Sequence, residues 1–211
     1  MAILLIRHGE TAGNRNRIIQ VPETPLSEHG LAQAERLGRR LAAAPIAEIW
    51  SSHLLRAHQT AQAIERTTRA PLAIHPELEE RNFGLLRGTP YSELRVDPFA
   101  PHYDPPGGEG WDAFHERVDR TWAAIERHWR ERYAERREPV HLAVVSHGLF
   151  LRSLLERRLL TREQLAHHGD GEKIAISNTA LSVVVPAEAN RVELVACTAH
   201  LEAEPEVLAP V

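Results

Sequence analysis

Short unbroken apolar runs alternate along this chain with longer amphipathic stretches. Ala2 to Ile6 are apolar without interruption, which predicts a strand buried on both faces. The run stops abruptly at Arg7, His8, Gly9 and Glu10. A polar loop follows. Ser27 is then a good N-cap for a helix with Leu31, Ala34, Leu37 and Leu41 at helical spacing, ended by Pro45. AEIW (47–50) predicts a second strand, and SSHLLRAHQTAQAIERTT (51–68) a helix capped by Ser51 or Ser52. LAIH (72–75) lies between Pro71 and Pro76 and predicts a third strand, while 78–108 is Gly- and Pro-rich and irregular.

The strongest helical pattern follows. Trp111, Phe114, Val118, Trp122, Ile125, Trp129 and Tyr133 recur at alternating threes and fours, a stripe that belongs to a core. VHLAVV (140–145) predicts another buried strand, followed by Ser146, His147, Gly148 and a helix over LFLRSLLERRLL (149–160). ALSVVV (180–185) and VELVACTA (192–199) predict two strands joined across PAEANR, with 203–211 a loose tail. The order of elements predicts a three-layer α/β/α sandwich with a mostly parallel central sheet.

Composition narrows the class. The 211 residues fit one domain, 1–211, with 43% hydrophobic and 26% charged residues. A formal net charge of -4 offers no basic field for nucleic acid. Cys197 is the only cysteine, so no disulfide forms within the chain. No apolar run is long enough to span a membrane, and the N-terminus lacks a signal-peptide pattern, so a cytoplasmic protein is expected. Nothing in the pattern specifies an oligomeric state.

The chemistry lies at strand ends. One strand ends in RHG and a later one in SHG, and in open α/β folds the carboxyl edge of the sheet is where ligands bind. A glycine after each histidine lets the backbone approach a ligand, and the amides that open the helix at Gly148 favour an anion. Arg56 falls in the first turns of the helix after the second strand, at the same edge. Arg7, Arg56 and a protonated His147 would form a cationic cup around His8. Guanidinium forks match phosphoryl oxygens and suit the charge of a phosphoryl-transfer transition state.

These segments resemble a family. LLIRHGET with Asn14, SSHLLRAHQTA, LEERNFGLLRG, PPGGEGWDAFHERV, VVSHG and SNTALSVVV with CTAHLE are similar, in order and over residues 3 to about 202, to the phosphoglycerate mutase-like branch of the histidine phosphatase superfamily. The resemblance implies that His8 is the nucleophile that becomes phosphohistidine. It implies that Arg7 and Arg56 clamp the phosphate, and that Asn14 binds it. His147 is the second histidine beside the phosphoryl group, and Glu80 is the acid/base carboxyl, with Glu79 one residue of register away. Gly148 joins the phosphate-binding set through its backbone. Glu109 reads as a helix-start residue. No cofactor and no metal is implied, because arginines and histidine supply the positive charge.

Two departures border the place of the substrate's non-phosphate part. IIQVPETPLS puts Gln20 and Glu23 where relatives carry a glycine after glutamine and an aspartate, and LRG puts Arg87 where many carry WEG. Gln20, Glu23, Arg87 and Tyr91 are therefore the candidate substrate-binding residues. The expected activity is hydrolysis of a small phosphorylated metabolite. A cofactor-dependent phosphoglycerate mutase is the alternative, and a non-catalytic phospho-ligand binder the alternative of another class. The segment TPYSELRVDPFAPHYDPP has Arg95 alone, with no arginine pair and no lysine, which favours hydrolysis over the mutase. A silent binder would not need both the nucleophile and the acid.

Overall fold

In the computed structural model, which describes residues 1–168 and 173–202, the strands are β1 (Ala2–Arg7), β2 (Ile46–Ser51), β3 (Leu72–Ile74), β4 (His141–Ser146), β5 (Leu181–Val185) and β6 (Arg191–Cys197). They form one sheet in the order β3-β2-β4-β1-β5-β6. Parallel pairing joins β3, β2, β4 and β1, whereas β5 pairs antiparallel with both β1 and β6. The helices are α1 (Ala12–Arg15), α2 (Glu28–Leu41), α3 (Leu55–Thr68), α4 (Trp111–Tyr133), α5 (Gly148–Leu154) and α6 (Arg162–His168). The tail expected at 203–211 lies outside the described residues.

The unbroken apolar run of β1 has a simple cause. Ile3 and Leu5 face a core completed by Phe114, Val118, Trp122 and Ile125 of α4 and by Phe150 and Leu154 of α5. Ala2, Leu4 and Ile6 face the other way, onto Leu37 and Leu41 of α2 and Ala57, Ala61 and Ile64 of α3. Successive strand residues point to opposite faces, so a strand covered by helices on both sides has no position left for a polar residue. The result is the expected three-layer sandwich.

Several local expectations change. Leu31 is 42% exposed, because the buried face of α2 runs through Gly30, Gln33, Ala34, Leu37 and Leu41. Neither Ser51 nor Ser52 is the N-cap of α3. That position is Leu54, without a side-chain bond, since Ser51 ends β2 and both hydroxyls turn into the interior. The polar loop after β1 contains α1, closed by a capping box in which the Thr11 hydroxyl accepts from the Asn14 amide and the Asn14 side chain accepts from the Thr11 amide. The long helix expected after His147 changes into a π-helical turn at Leu155–Leu159. Residues 78–108 are irregular as expected, with short 3₁₀ turns at Gly84–Leu86 and Tyr91–Glu93.

Candidate active site

Sheet order brings three strand ends together. β4 lies between β2 and β1, and all three are parallel, so the segments leaving their carboxyl ends emerge side by side. His8 follows β1, Ser52 follows β2 and His147 follows β4. Both histidines are buried, and their rings lie 5.1 Å apart between centroids.

His8 has a determined tautomer. Its Nδ1 lies 2.7 Å from the carbonyl oxygen of Gly9, which can only accept, so Nδ1 carries the proton and Nε2 carries the lone pair. Burial, followed by the charges of Arg56 and Arg7, holds the His8 imidazole well below its usual value of 6.5, and therefore neutral. Burial and then Arg56 do the same to His147, so the protonated His147 expected from the sequence is instead neutral in the free site. The permanent positive charge comes from the arginines. Burial draws Arg56 down to about 10 and lowers Arg7 as well, with Glu80 pulling the other way in both, and both guanidinium groups stay charged near neutrality.

The site holds polar atoms without partners. Among the described residues, Arg7 Nε, Arg56 Nε and His147 Nδ1 are buried and make no hydrogen bond. The rest of each group is tethered: Arg7 donates to the Ile176 carbonyl, Arg56 to the Val21 carbonyl at 3.2 Å, and His147 Nε2 lies 2.8 Å from the Ser52 hydroxyl. Asn14 Oδ1 accepts from Thr11 and Asn178, which leaves its Nδ2 group as the donor on the cavity side. Buried polar groups left unpaired are costly; Arg7 and Arg56 line one cavity together with His8 and Asn14, while His147 packs beside His8 and does not itself line it.

Glu80 lines this cavity and Glu79 does not. Its carboxylate accepts from the amides of Leu149 and Phe150 at 3.0 and 3.1 Å. The α5 amides expected to meet phosphate are thus taken by Glu80, because a carboxylate is anchored well by first-turn N–H groups. Gly148 does line the cavity, packed so closely that a Cβ there would sit 3.4 Å from Arg7 Nε. Gly9 serves a different contact from the one expected. A Cβ on it would lie 2.6 Å from the Gly30 carbonyl, so its smallness admits α2 and not a ligand. Glu109 is more than a helix-start residue: its carboxylate pairs with Arg117 through both oxygens at 2.9 and 2.8 Å.

The comparisons with known proteins meet this geometry. The sequence profile of the histidine phosphatase superfamily (branch 1) matches residues 3–198. The chain belongs to that superfamily. It is 40% identical over 119 residues to fructose-2,6-bisphosphatase TIGAR of Xenopus laevis, a match that takes in 51% of this chain and 43% of the frog protein, so the chain spans under half of that relative. It is 32% identical over 170 residues to adenosylcobalamin/alpha-ribazole phosphatase of Escherichia coli, covering 76% of this chain and 79% of that protein. The solved structure of Bacillus stearothermophilus YhfR superposes with a TM-score of 0.78 at 26% identity, over 95% of this chain and 99% of the other.

In this histidine phosphatase superfamily member the cavity is about 680 Å³, far larger than a phosphate needs. Of the candidate substrate-binding residues, Gln20, Arg87 and Tyr91 line it, whereas Glu23 is exposed and outside it, because Val21 and Pro22 carry the chain away toward α3. Tyr91 meets Phe99 edge-on at 5.5 Å, and Phe99 meets Phe83 at 5.7 Å, forming an aromatic wall. Trp111, the first member of the α4 stripe, is half-buried: it packs against the core at Phe114 and also lines the cavity. Arg81 went unrecognised in the sequence. It is 1% exposed, stacks 3.9 Å over Trp111, and donates to the carbonyls of Pro98, Tyr103 and Glu109, which fastens the 97–110 loop over the site. Arg152, one turn along α5 from Gly148, also lines the cavity.

Proposed function

We propose that the chain is a phosphomonoesterase that works through a phosphohistidine on His8. The observation that carries this reading is the convergence on one cavity of a neutral His8, its Nε2 free, with the guanidinium groups of Arg7 and Arg56, neither of which has a carboxylate within salt-bridge distance among the described residues, and with His147 packed beside His8. A phosphoryl dianion satisfies those donors together.

The reaction then runs in two displacements. His8 Nε2 attacks phosphorus, the N–P bond forms as the ester P–O bond breaks, and the electron pair leaves on the alkoxide oxygen. Glu80 gives that oxygen its proton. Water next attacks phosphorus and loses a proton to Glu80, the N–P bond breaks, and inorganic phosphate departs. Arg7 and Arg56 hold the equatorial oxygens through both steps. In this reading Asn14 and His147 are the further donors to these oxygens.

The substrate is a small phosphorylated metabolite with a second anionic group. Arg87 lines the cavity and has no carboxylate within salt-bridge distance among the described residues, whereas Arg152, which also lines it, stands 4.0 Å from Glu156. A single phosphate is already matched by Arg7 and Arg56, so Arg87 is left for another charge. TIGAR is named for a bisphosphate, which agrees with a second anionic group at Arg87. Arg95, the only arginine of the 89–106 segment, does not line the cavity, whereas Tyr91 and Phe99 of that segment do, so the segment itself adds no cationic grip of the kind a mutase needs.

The test is a quench of the enzyme during turnover of a radiolabelled phosphate ester. An acid-labile, base-stable phosphoenzyme is expected in the wild type, and His8→Ala is expected to lose both it and turnover with the fold intact. A panel comparing fructose 2,6-bisphosphate and 3-phosphoglycerate with simple alkyl phosphates should favour the first two, with net phosphate release and not isomerisation. Turnover by His8→Ala at a near-normal rate would refute the mechanism.

A further inference from the structure

Behind His8, on the side away from the cavity, lies a buried chain of side-chain hydrogen bonds in which every donor and acceptor is determined. It begins at Arg40 on α2, which is 6% exposed and has no carboxylate within salt-bridge distance among the described residues. Arg40 Nη1 lies 3.1 Å from His200 Nδ1. A guanidinium can only donate, so Nδ1 is the acceptor and the proton of a neutral imidazole must be on Nε2. Burial, with Arg40 and Arg36 adding to it, pulls His200 down to about 4, which agrees with the neutral ring. His200 Nε2 then donates to the Thr179 hydroxyl at 2.9 Å, and that hydroxyl donates to the Asn178 carbonyl at 2.7 Å. Asn178 Nδ2 finally reaches the His8 carbonyl at 3.1 Å and Asn14 Oδ1 at 3.3 Å. The Thr179 amide adds a second bond to the His8 carbonyl at 3.2 Å.

The turn at the centre of this chain is held out of its ordinary shape. Thr179 has φ +57°, a left-handed conformation that is a real outlier for a β-branched residue. Such a conformation persists only where the surroundings impose it, and the bonds of Thr179 to His200 and His8 are what impose it here. Its consequence is to aim Asn178 Nδ2 at Asn14 Oδ1. With Oδ1 engaged, the Asn14 amide cannot flip, and its own Nδ2 stays toward the cavity.

We infer that Arg40, His200 and Thr179 are positioning residues that act through Asn178 on His8 and Asn14. They touch no substrate: none of the three lines the cavity. Their task is to hold the backbone of the nucleophile and the amide plane of Asn14 from the α2 layer. This inference rests on the phosphate-site reading above.

The experiment compares His200→Leu with His200→Gln. Glutamine offers one acceptor and one donor at similar reach and restores both bonds, whereas leucine restores neither. Expected for His200→Leu is a loss of about tenfold in kcat/KM, as for a small misplacement of reacting groups, with a matching weakening of vanadate binding and altered side-chain amide resonances of Asn14. His200→Gln should recover most of all three. Val192→Ala, a core truncation in β6 away from the chain of bonds, serves as a control for lost stability. Equal losses in Val192→Ala and His200→Leu at equal thermal stability, or unchanged vanadate binding in His200→Leu, would overturn the inference. A wild type that neither binds vanadate nor hydrolyses phosphate esters would bring down the phosphate-site reading, and this inference with it.

Discussion

Arg56 illustrates how little a single side chain declares in this sequence. In an arginine-rich chain it is one candidate among many, yet it is 4% exposed and lines the cavity, with Nε unpartnered and Nη1 tied to the Val21 carbonyl. Arg56→Ala should lower kcat/KM by roughly 10²-fold or more, the scale of losing one preorganised electrostatic contact, in a steady-state phosphatase assay. Vanadate should weaken with it. Glu80 sits in the same cavity but acts only when a proton must move. Glu80→Gln should therefore slow alkyl phosphates strongly and p-nitrophenyl phosphate much less, because nitrophenolate leaves without protonation. Equal losses on both would remove Glu80 from the acid role.

The elements matter because they bring these side chains into register. α2 contributes no residue to the cavity, yet its first turn presses on the loop that follows His8. A Cβ at Gly30 would lie 1.9 Å from the Glu10 carbonyl oxygen, and the Ser27 hydroxyl that caps α2 bonds Glu10 Oε1 at 2.8 Å. Backbone meets backbone there, so the contact cannot relax by a rotamer change. Gly30→Ala should destabilise the protein by about 1–3 kcal/mol through overpacking and should also depress kcat, because the strain falls two residues from His8. Denaturant unfolding and turnover on the same sample check both. α4 shows the opposite division. Phe114, Val118 and Ile125 are fully buried and hold one face of the sheet, while Trp111 at its head packs against Phe114 and also supports Arg81 and the cavity wall.

At the scale of the whole molecule, burial of neutral histidines links stability to pH. Burial lowers His8, His147, His141, His115 and His200 relative to the unfolded chain, the last to about 4. Their folded values lie below the unfolded one, so below about pH 6.5 the unfolded chain binds more protons than the folded one. Stability should therefore be level above that pH as far as these groups decide it, and fall progressively as pH drops beneath it. Melting temperatures from pH 8 to pH 4 test the sign. Saturating phosphate should offset part of the loss, since an anion beside His8 and His147 favours their protonated forms.

The sequence by itself determined the alternation of strands and helices, the two-sided burial of β1, and the places where polar groups interrupt apolar runs. Those are local properties: a period of two or of three and a half, a cap, a proline. It also carried the motifs around Arg7, His8, Arg56 and His147, because each sits at the end of an element whose pattern is plain, whereas Glu80, in the irregular 78–108 stretch, was reached only through the family resemblance. What tertiary structure alone decided is which strand ends meet, and therefore which polar groups share a cavity. The order β2-β4-β1 is not written in any one segment, and without it Ser52 could not be placed on His147 nor Glu80 on the amides of α5. The charge state of His147 belongs to the same class, since the expected protonation failed once burial and two arginines acted together. So does the exclusion of Glu23 and the inclusion of Arg152 and Arg81, which lie far apart in sequence and are sorted only by packing. Local pattern follows from short-range sterics and hydrophobic periodicity. Site composition follows from long-range contacts, whose partners become defined only when the sheet has formed.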